Sequence, residues 1–526
     1  MAGNGSYYIT TPIYYVNDSP HIGHAYTTLA CDVLARFKRL DGFDVKFLTG
    51  TDEHGQKVAT SARDAGIDPQ TFTDNVSQNF RDLLGVMNFQ HDDFIRTTEP
   101  RHINACQALW RAIAANQSPK GQDNIYLDSY GGWYAVRDEA FYAEGELTDG
   151  PDGKKIAPSG AEAEWVEEPS YFFRLSDWQD ALLEFYEKNP DFIAPVSRRN
   201  EVKSFVEGGL HDLSISRTSF DWGVQVPDDP DHVMYVWLDA LTNYITALGY
   251  PDQKGEYAAY WPADLHMVGK DIVRFHAVYW PAFLLAAGLE PPKRVYAHGW
   301  WTNEGQKISK SLGNVIDPVE LVERYGIDQV RYFLLREVPF GNDGDFSHQA
   351  MVNRMNGELA NDFGNLAQRV LSMINKNCEA KVPQPGDLTG DDQDLLNQAH
   401  ALHGSAAGCL DRQAFHEALE SIWVVVRAAN GYVDAQAPWA LRKEDPDRMK
   451  TVLYVLVETI RHLAILAQPF MPNSCAAMLD QLEIGESERN FANLGLEQAL
   501  KPGTELPKPQ GVFPRFTDEE KAGEGA

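Results

Sequence analysis

His21 and His24 flank Ile22 and Gly23, two imidazoles three positions apart with a glycine beside the second. The tetrad follows a short apolar run, Tyr7 to Tyr15, and precedes a segment of helical period with Leu29, Val33, Leu34 and Phe37 on one face. It reads as a strand, a turn and a helix start, where backbone N–H groups stand unpaired and anions are favoured. Gly23 has no Cβ to hold a flat base or a phosphate away from that backbone. Far downstream, Lys307-Ile308-Ser309-Lys310-Ser311 sets two ammonium groups on a Gly- and Ser-containing loop. Either motif alone is ordinary, a capped turn or an exposed polar loop. Together they point to chemistry at the α-phosphate of ATP. His21 and His24 would donate to phosphate oxygens as charge builds, and Lys307 and Lys310 would hold the departing pyrophosphate. No G-x-x-x-x-G-K-[ST] loop is present to cradle β- and γ-phosphates.

The elements that position these groups follow from pattern. Strand and helix signals alternate through the first 115 residues, with Asp44 to Gly50 as a second strand followed by Asp52. Such alternation predicts a parallel sheet that binds ligands beyond the carboxyl ends of its strands. From 116 to 225 the texture turns to aromatic and acidic turn-rich segments, an inserted β-containing module. The sheet pattern is expected to resume at Val233-Met234-Tyr235-Val236-Trp237, then Leu265 to Asp271 and Arg294 to Gly299. Beyond 350, Leu359, Phe363, Leu366, Val370 and Ile374 recur at steps of three and four, as do Val452, Leu456, Ile460, Leu463 and Leu466. The expected architecture is α/β: a doubly wound parallel-sheet, Rossmann-like catalytic domain (1–115 and 226–290) split by the module at 116–225. A lysine-loop linking segment (291–350), an α-helical bundle (351–482) and a tail (483–526) follow.

Composition bounds the class. The 526 residues exceed one core, and 43% hydrophobic with 23% charged residues is ordinary for a globular protein. Five scattered cysteines without C-x-x-C, and no signal-like or membrane-length apolar run, predict a cytoplasmic protein with free thiols. The net charge of −30 lowers the expectation of a nucleic-acid partner without excluding local basic patches.

Residues His21-Ile22-Gly23-His24 and Lys307 to Ser311 resemble the two signatures of class I aminoacyl-tRNA synthetases. Thr11 to Asn17, Thr49 to Gly55, Tyr235 to Ala240 and Val268 to His276 narrow the resemblance to methionyl-tRNA synthetases, over about residues 6–516. The resemblance implies that ATP, entering with Mg2+, activates methionine to methionyl-adenylate, and that the methionyl group then passes to initiator and elongator tRNA. It implies a methionine pocket of Ile13, Tyr15, Trp237, Ala240, Leu241, Tyr244, Ile272 and His276, with Asp52 on the α-ammonium. Aromatic walls suit a polarizable thioether, and a carboxylate replaces water around the ammonium. Gly23, Gly269 and Asp271 would meet the adenosine, with Lys310 on the phosphates. Asn365, Arg369 and Trp439 would read the anticodon, the first two one helical turn apart and Trp439 as a stacking plate. Homocysteine differs from methionine by one methyl, too little for a pocket to reject strongly, so its clearance is expected in the same site.

The sequence also departs from the family pattern. The four positions where relatives carry zinc ligands are Ala135, Asp138, Ala157 and Gly160, so the bacterial type without zinc knuckles is expected, its module held by Trp133, Tyr134, Phe141 and Tyr142. The end near Phe516 leaves no room for an appended dimerising domain, which predicts a monomer. A ligase for another apolar amino acid would carry a larger editing insertion. A small-molecule nucleotidyltransferase would need neither module nor bundle, and a non-catalytic paralogue would have lost one of His21, His24, Asp52 or Lys310.

Overall fold

The computed structural model describes residues 4–16, 19–138, 140–308 and 314–517. At its centre lies a parallel sheet built from β1 (Ser6–Thr10), β2 (Tyr14–Tyr15), β3 (Asp44–Asp52), β4 (Asp93–Arg96), β5 (Ile193–Ala194), β6 (Leu265–Gly269) and β7 (Val295–His298). The order runs β5-β7-β6-β1-β3, with β2 and β4 both pairing to β3. Ile9 lies opposite Phe47 and Leu265, which sets the central register. Alternate residues face opposite sides of a strand. Ile9 and Phe47 accordingly enter one core, while Tyr8 and Leu48 enter the other.

Helices α1 (Ile22–Leu40), α2 (Pro69–Val86), α3 (Pro100–Ala115) and α4 (Val236–Thr246) cover the two faces. Leu29, Val33, Leu34 and Phe37 are buried as their spacing requires. The inserted segment opens with a long antiparallel ribbon, Ile125–Ala135 against Glu162–Phe173. Two expectations change here. Helices Gln179–Lys188 and Val196–Glu207 fill the later part of 116–225, and β5 between them is an edge strand of the parallel sheet. The run Val233 to Trp237 is not one strand of that sheet. Asp229–Met234 pairs antiparallel with two short strands, Ser216–Arg217 and Gln225–Val226, and Val236 and Trp237 already belong to α4.

Beyond the sheet, α5 (Ile327–Arg336) leads to a bundle of α6 (Asn365–Asn377), α7 (Gly390–Leu410), α8 (Phe415–Gln436), α9 (Pro438–Glu444), α10 (Pro446–Ala467) and α11 (Pro472–Asp480). Residues Arg354–Gly364 form a wide π-helical stretch that runs directly into α6. One apolar core is continuous from α1 through α5 to α10. Arg331 of α5, fully buried, joins them. It donates to Asp32 of α1 (2.6 Å), to the Met87 carbonyl after α2 (3.1 Å), and to the Pro469 and Phe470 carbonyls between α10 and α11 (2.8 and 3.0 Å). The last segment lies against the bundle, where the Leu500 N–H donates to Glu458 and the Phe516 N–H to Asn356. No helix among the described residues is long and apolar enough to cross a membrane.

Candidate active site

His21 is the N-cap of α1, and the two histidines cap it reciprocally. The Gly23 N–H donates to His21 Nδ1 and the His21 N–H donates to His24 Nδ1, both at 3.1 Å. This is a capping box made of imidazoles in place of the usual hydroxyl and carboxylate. It revises the expectation of open backbone donors, because the rings occupy two of them. Each Nδ1 is an acceptor, so the proton of each neutral ring sits on Nε2. Gly23 is what lets His21 fold back: a Cβ there would stand 2.9 Å from His21 Cε1. The rings lie 3.9 Å apart, and His24 meets Tyr14 and Phe80 edge-on. Burial lowers the pKa of both, and for His24 the neighbouring His21 lowers it further. The helix start therefore presents neutral N–H donors, not positive charge.

These histidines line a cavity of about 370 Å³ at the carboxyl ends of the strands. Ile13, Tyr15, Asp52, Trp237, Ala240, Leu241, Tyr244, Ile272 and His276 line it as well, as do Gly23, Gly269 and Asp271. Several elements place them. Tyr15 of β2 is in register with Asp52, the last residue of β3. Trp237, Ala240, Leu241 and Tyr244 come from α4, with Trp237 stacked on Phe275 at 3.7 Å. The Tyr244 hydroxyl donates to His276 Nε2 (2.7 Å), and His276 Nδ1–H donates to the Ile272 carbonyl (2.9 Å). That pair fixes the opposite tautomer to His21, and burial pushes the His276 pKa down to about 4. The ring stays neutral at the foot of the cavity. Tyr244 also stacks on His266 at 4.0 Å.

On the opposite side, Gly269 ends β6 where a Cβ would meet Asp271 Oδ1 at 2.5 Å. Trp300, 45% exposed, donates its indole N–H to the same oxygen at 3.1 Å, and Lys270 sits 4.3 Å from the Trp300 ring. Sequence reasoning missed Trp300, along with His298, Thr27, Arg137 and Asp138, all of which line the cavity. Trp300 had a usable signal, since it follows β7 at the strand end where such folds bind ligands. Arg137 and Asp138 had none, being brought over the cavity by the inserted ribbon.

At the positions aligned with zinc ligands, Ala135 and Ala157 are buried together with Ala161 and Ala163 in a small apolar core. Asp138 accepts hydrogen bonds from Tyr142 and Ser159, and Gly160 sits in a turn at φ +82°. One carboxylate among four positions does not fit a zinc site. Trp133 and Tyr142 pack against this core, whereas the Phe141 side chain lies outside the described residues. The Lys307 backbone pairs with Thr302 in a hairpin. Its side chain, and Ser309, Lys310 and Ser311, lie outside the described residues, as does Asn17.

In the bundle, Arg369 of α6 pairs with Asp434 (3.2 Å), and its guanidinium lies 5.6 Å from the Trp439 ring on α9. Asn365 is exposed one turn earlier. Trp439 is 49% exposed. It stands on the bundle surface beside Arg369, far from a role as buried filling.

Comparison with known proteins identifies the family. Residues 7–371 match a model described as tRNA synthetases class I (M), and residues 382–524 one described as the anticodon binding domain of methionyl tRNA ligase. The methionine–tRNA ligase of Brucella suis biovar 1 (strain 1330) is 59% identical over 97% of this chain and 98% of its own. That of Rickettsia bellii is 56% identical over 98% and 100%. Mycobacterium tuberculosis methionyl-tRNA synthetase in complex with methionyl-adenylate superposes with a TM-score of 0.93 at 54% identity, covering 97% of this chain and 100% of that one. Its apo form gives 0.88 at 51% identity, over 98% and 99%. With both halves of the chain matched and the sheet, the cavity and the bundle in place, this protein belongs to the methionyl-tRNA synthetases, the class I methionine–tRNA ligases.

Proposed function

We propose that the cavity between α1 and α4 is where this ligase joins methionine to ATP before passing it to tRNA. A methionine carboxylate oxygen attacks the α-phosphorus, the bond to pyrophosphate breaks, and methionyl-adenylate forms. A hydroxyl of the tRNA's terminal adenosine then attacks the adenylate carbonyl and AMP departs. The observation that carries this reading is convergence: His21, His24, Asp52 and the Trp237–Tyr244 wall line one cavity.

The roles follow from the chemistry of each group. Asp52 takes the α-ammonium, and Trp237, Ala240, Leu241, Tyr244, Ile13, Tyr15, Ile272 and His276 enclose the thioether. His276 being neutral, nothing in that wall competes with Asp52 for charge. The Nε2–H groups of His21 and His24 donate to α-phosphate oxygens, a contact that strengthens as charge develops. Gly269 and Asp271 hold the ribose side, with Trp300 orienting Asp271. Lys307 and Lys310 draw off pyrophosphate from ATP bound with Mg2+. No zinc is held by the inserted ribbon, where alanines pack instead. Asn365, Arg369 and Trp439 read the anticodon of initiator and elongator tRNA. The described cysteines are all free, which supports a reducing compartment such as the cytoplasm, where the protein acts as a monomer.

Methionine-dependent ATP–pyrophosphate exchange tests the reading. Stimulation by methionine, and not by isoleucine or leucine, is expected; stimulation by leucine instead would overturn the substrate.

A further inference from the structure

A buried polar cluster lies outside the residues that line the cavity. Asp239 of α4 is fully buried, yet its carboxylate accepts two imidazole N–H groups. His54 Nδ1–H donates to one oxygen at 2.6 Å and His102 Nε2–H to the other at 2.8 Å. The Cys106 thiol donates to the Asp239 carbonyl at 3.7 Å. Burial opposes ionisation here, but the two imidazoles outweigh it and hold Asp239 well below the usual carboxylate range.

The positions of the partners give the cluster its meaning. His54 lies two residues after Asp52. The loop between them is gripped on its other side, where the Trp222 indole N–H donates to the Glu53 carbonyl (2.7 Å) and the Gly55 N–H donates to the Trp222 carbonyl (3.1 Å). Asp239 itself precedes Ala240 and follows Trp237 by two residues on the helix that forms the cavity wall. One carboxylate thus ties the loop carrying Asp52 to the helix carrying the aromatic wall.

We infer that Asp239 is a positioning residue that sets the distance between the ammonium-binding carboxylate and the thioether pocket, acting through His54. The inference rests on the reading of Asp52 as the ammonium partner. A methionine held by both its ammonium and its thioether senses that distance; an analogue without the ammonium does not.

The test compares methionine with 4-(methylthio)butanoate, which is methionine without its amino group. His54→Ala is expected to raise the methionine KM in pyrophosphate exchange by about tenfold, the scale of one lost charge-assisted hydrogen bond. The inhibition constant of the desamino analogue and the KM for ATP should stay within about twofold, an undisturbed pocket being worth little change. His54→Asn, whose amide can donate to Asp239, should recover most of the loss, and Asp239→Asn should follow His54→Ala. If Asp239→Asn does not fold, the two His54 variants still decide. Parallel weakening of methionine and its analogue, or an unchanged methionine KM in His54→Ala, would overturn the inference. Asp52→Asn is run beside them. If it fails to weaken methionine selectively, the reading of Asp52 falls; if it succeeds while His54→Ala does not, only the role of Asp239 falls.

Discussion

The His24 ring accepts the backbone N–H of His21 on Nδ1, and His21 accepts Gly23 in the same way. Helix capping and phosphate binding are thereby assigned to opposite nitrogens of the same rings. His21→Asn keeps an acceptor for the Gly23 N–H but has nothing at the position of Nε2. It should leave the thermal midpoint within a few degrees of wild type and lower the exchange kcat by roughly 10²–10³, the usual loss for a transition-state donor. Equal losses of stability and rate would show that the ring only caps.

Gly23→Ala tests the same arrangement from the backbone side. Alanine suits a helix better by about 0.5–1 kcal/mol, but its Cβ would press on His21 Cε1 and Nδ1 at 2.9 and 3.1 Å. Circular dichroism should show the helix retained, while the KM for ATP rises and kcat falls.

Tyr244→Phe removes the donor that His276 Nε2 accepts, and both side chains are buried. An acceptor left unpaired there costs about 1–3 kcal/mol. Chemical denaturation should show that loss, and the methionine KM should rise with little change in the KM for ATP.

Acid should destabilise the protein through its site histidines. His21, His24, His266, His276 and His298 are all shifted down by burial, His276 to about 4. Unfolded, each would titrate near 6.5, so below that value the unfolded chain binds more protons than the folded one. The stability conferred by keeping these rings neutral is complete above about 6.5 and is lost as pH falls toward the folded values. Thermal midpoints measured from pH 7.5 to 5 should decline, and saturating substrate should not abolish the trend. A flat profile would contradict it.

Trp439→Ala should leave pyrophosphate exchange intact and reduce charging of tRNA by about tenfold or more, since stacking on one base is worth about 1–3 kcal/mol. Trp439→Phe should retain much of the activity. Unchanged charging by Trp439→Ala would remove this surface from the anticodon interface.

The parts of the fold legible in the sequence are those with a long period. The buried face of α1, the strand β3 and the bundle helices all announce themselves by spacing. What stayed hidden was short or unpunctuated. β5 is two residues long and lies between helices, and α4 begins at Val236 with no capping side chain at Tyr235 to separate it from the strand before. Val-Trp reads as strand there because both residues favour strands; packing over the cavity makes them helical. The site shows the same division. Side chains on continuous motifs were nameable, whereas Trp300, Arg137 and Asp138 depend on where the chain crosses the cavity. Nor could the sequence reveal that His21 and His24 spend one nitrogen each on the helix, because imidazoles are unusual caps.

The Arg331 bridge carries a consequence for the ligand. Its bonds reach the helix headed by His21 at one end and the turn between α10 and α11 at the other, and the side chain is fully buried. The bundle cannot rock against the sheet without breaking them together. On the roles proposed for His21 and Trp439, one buried guanidinium then acts as the joint of a caliper, tying the helix that begins at His21 to the bundle that presents Trp439.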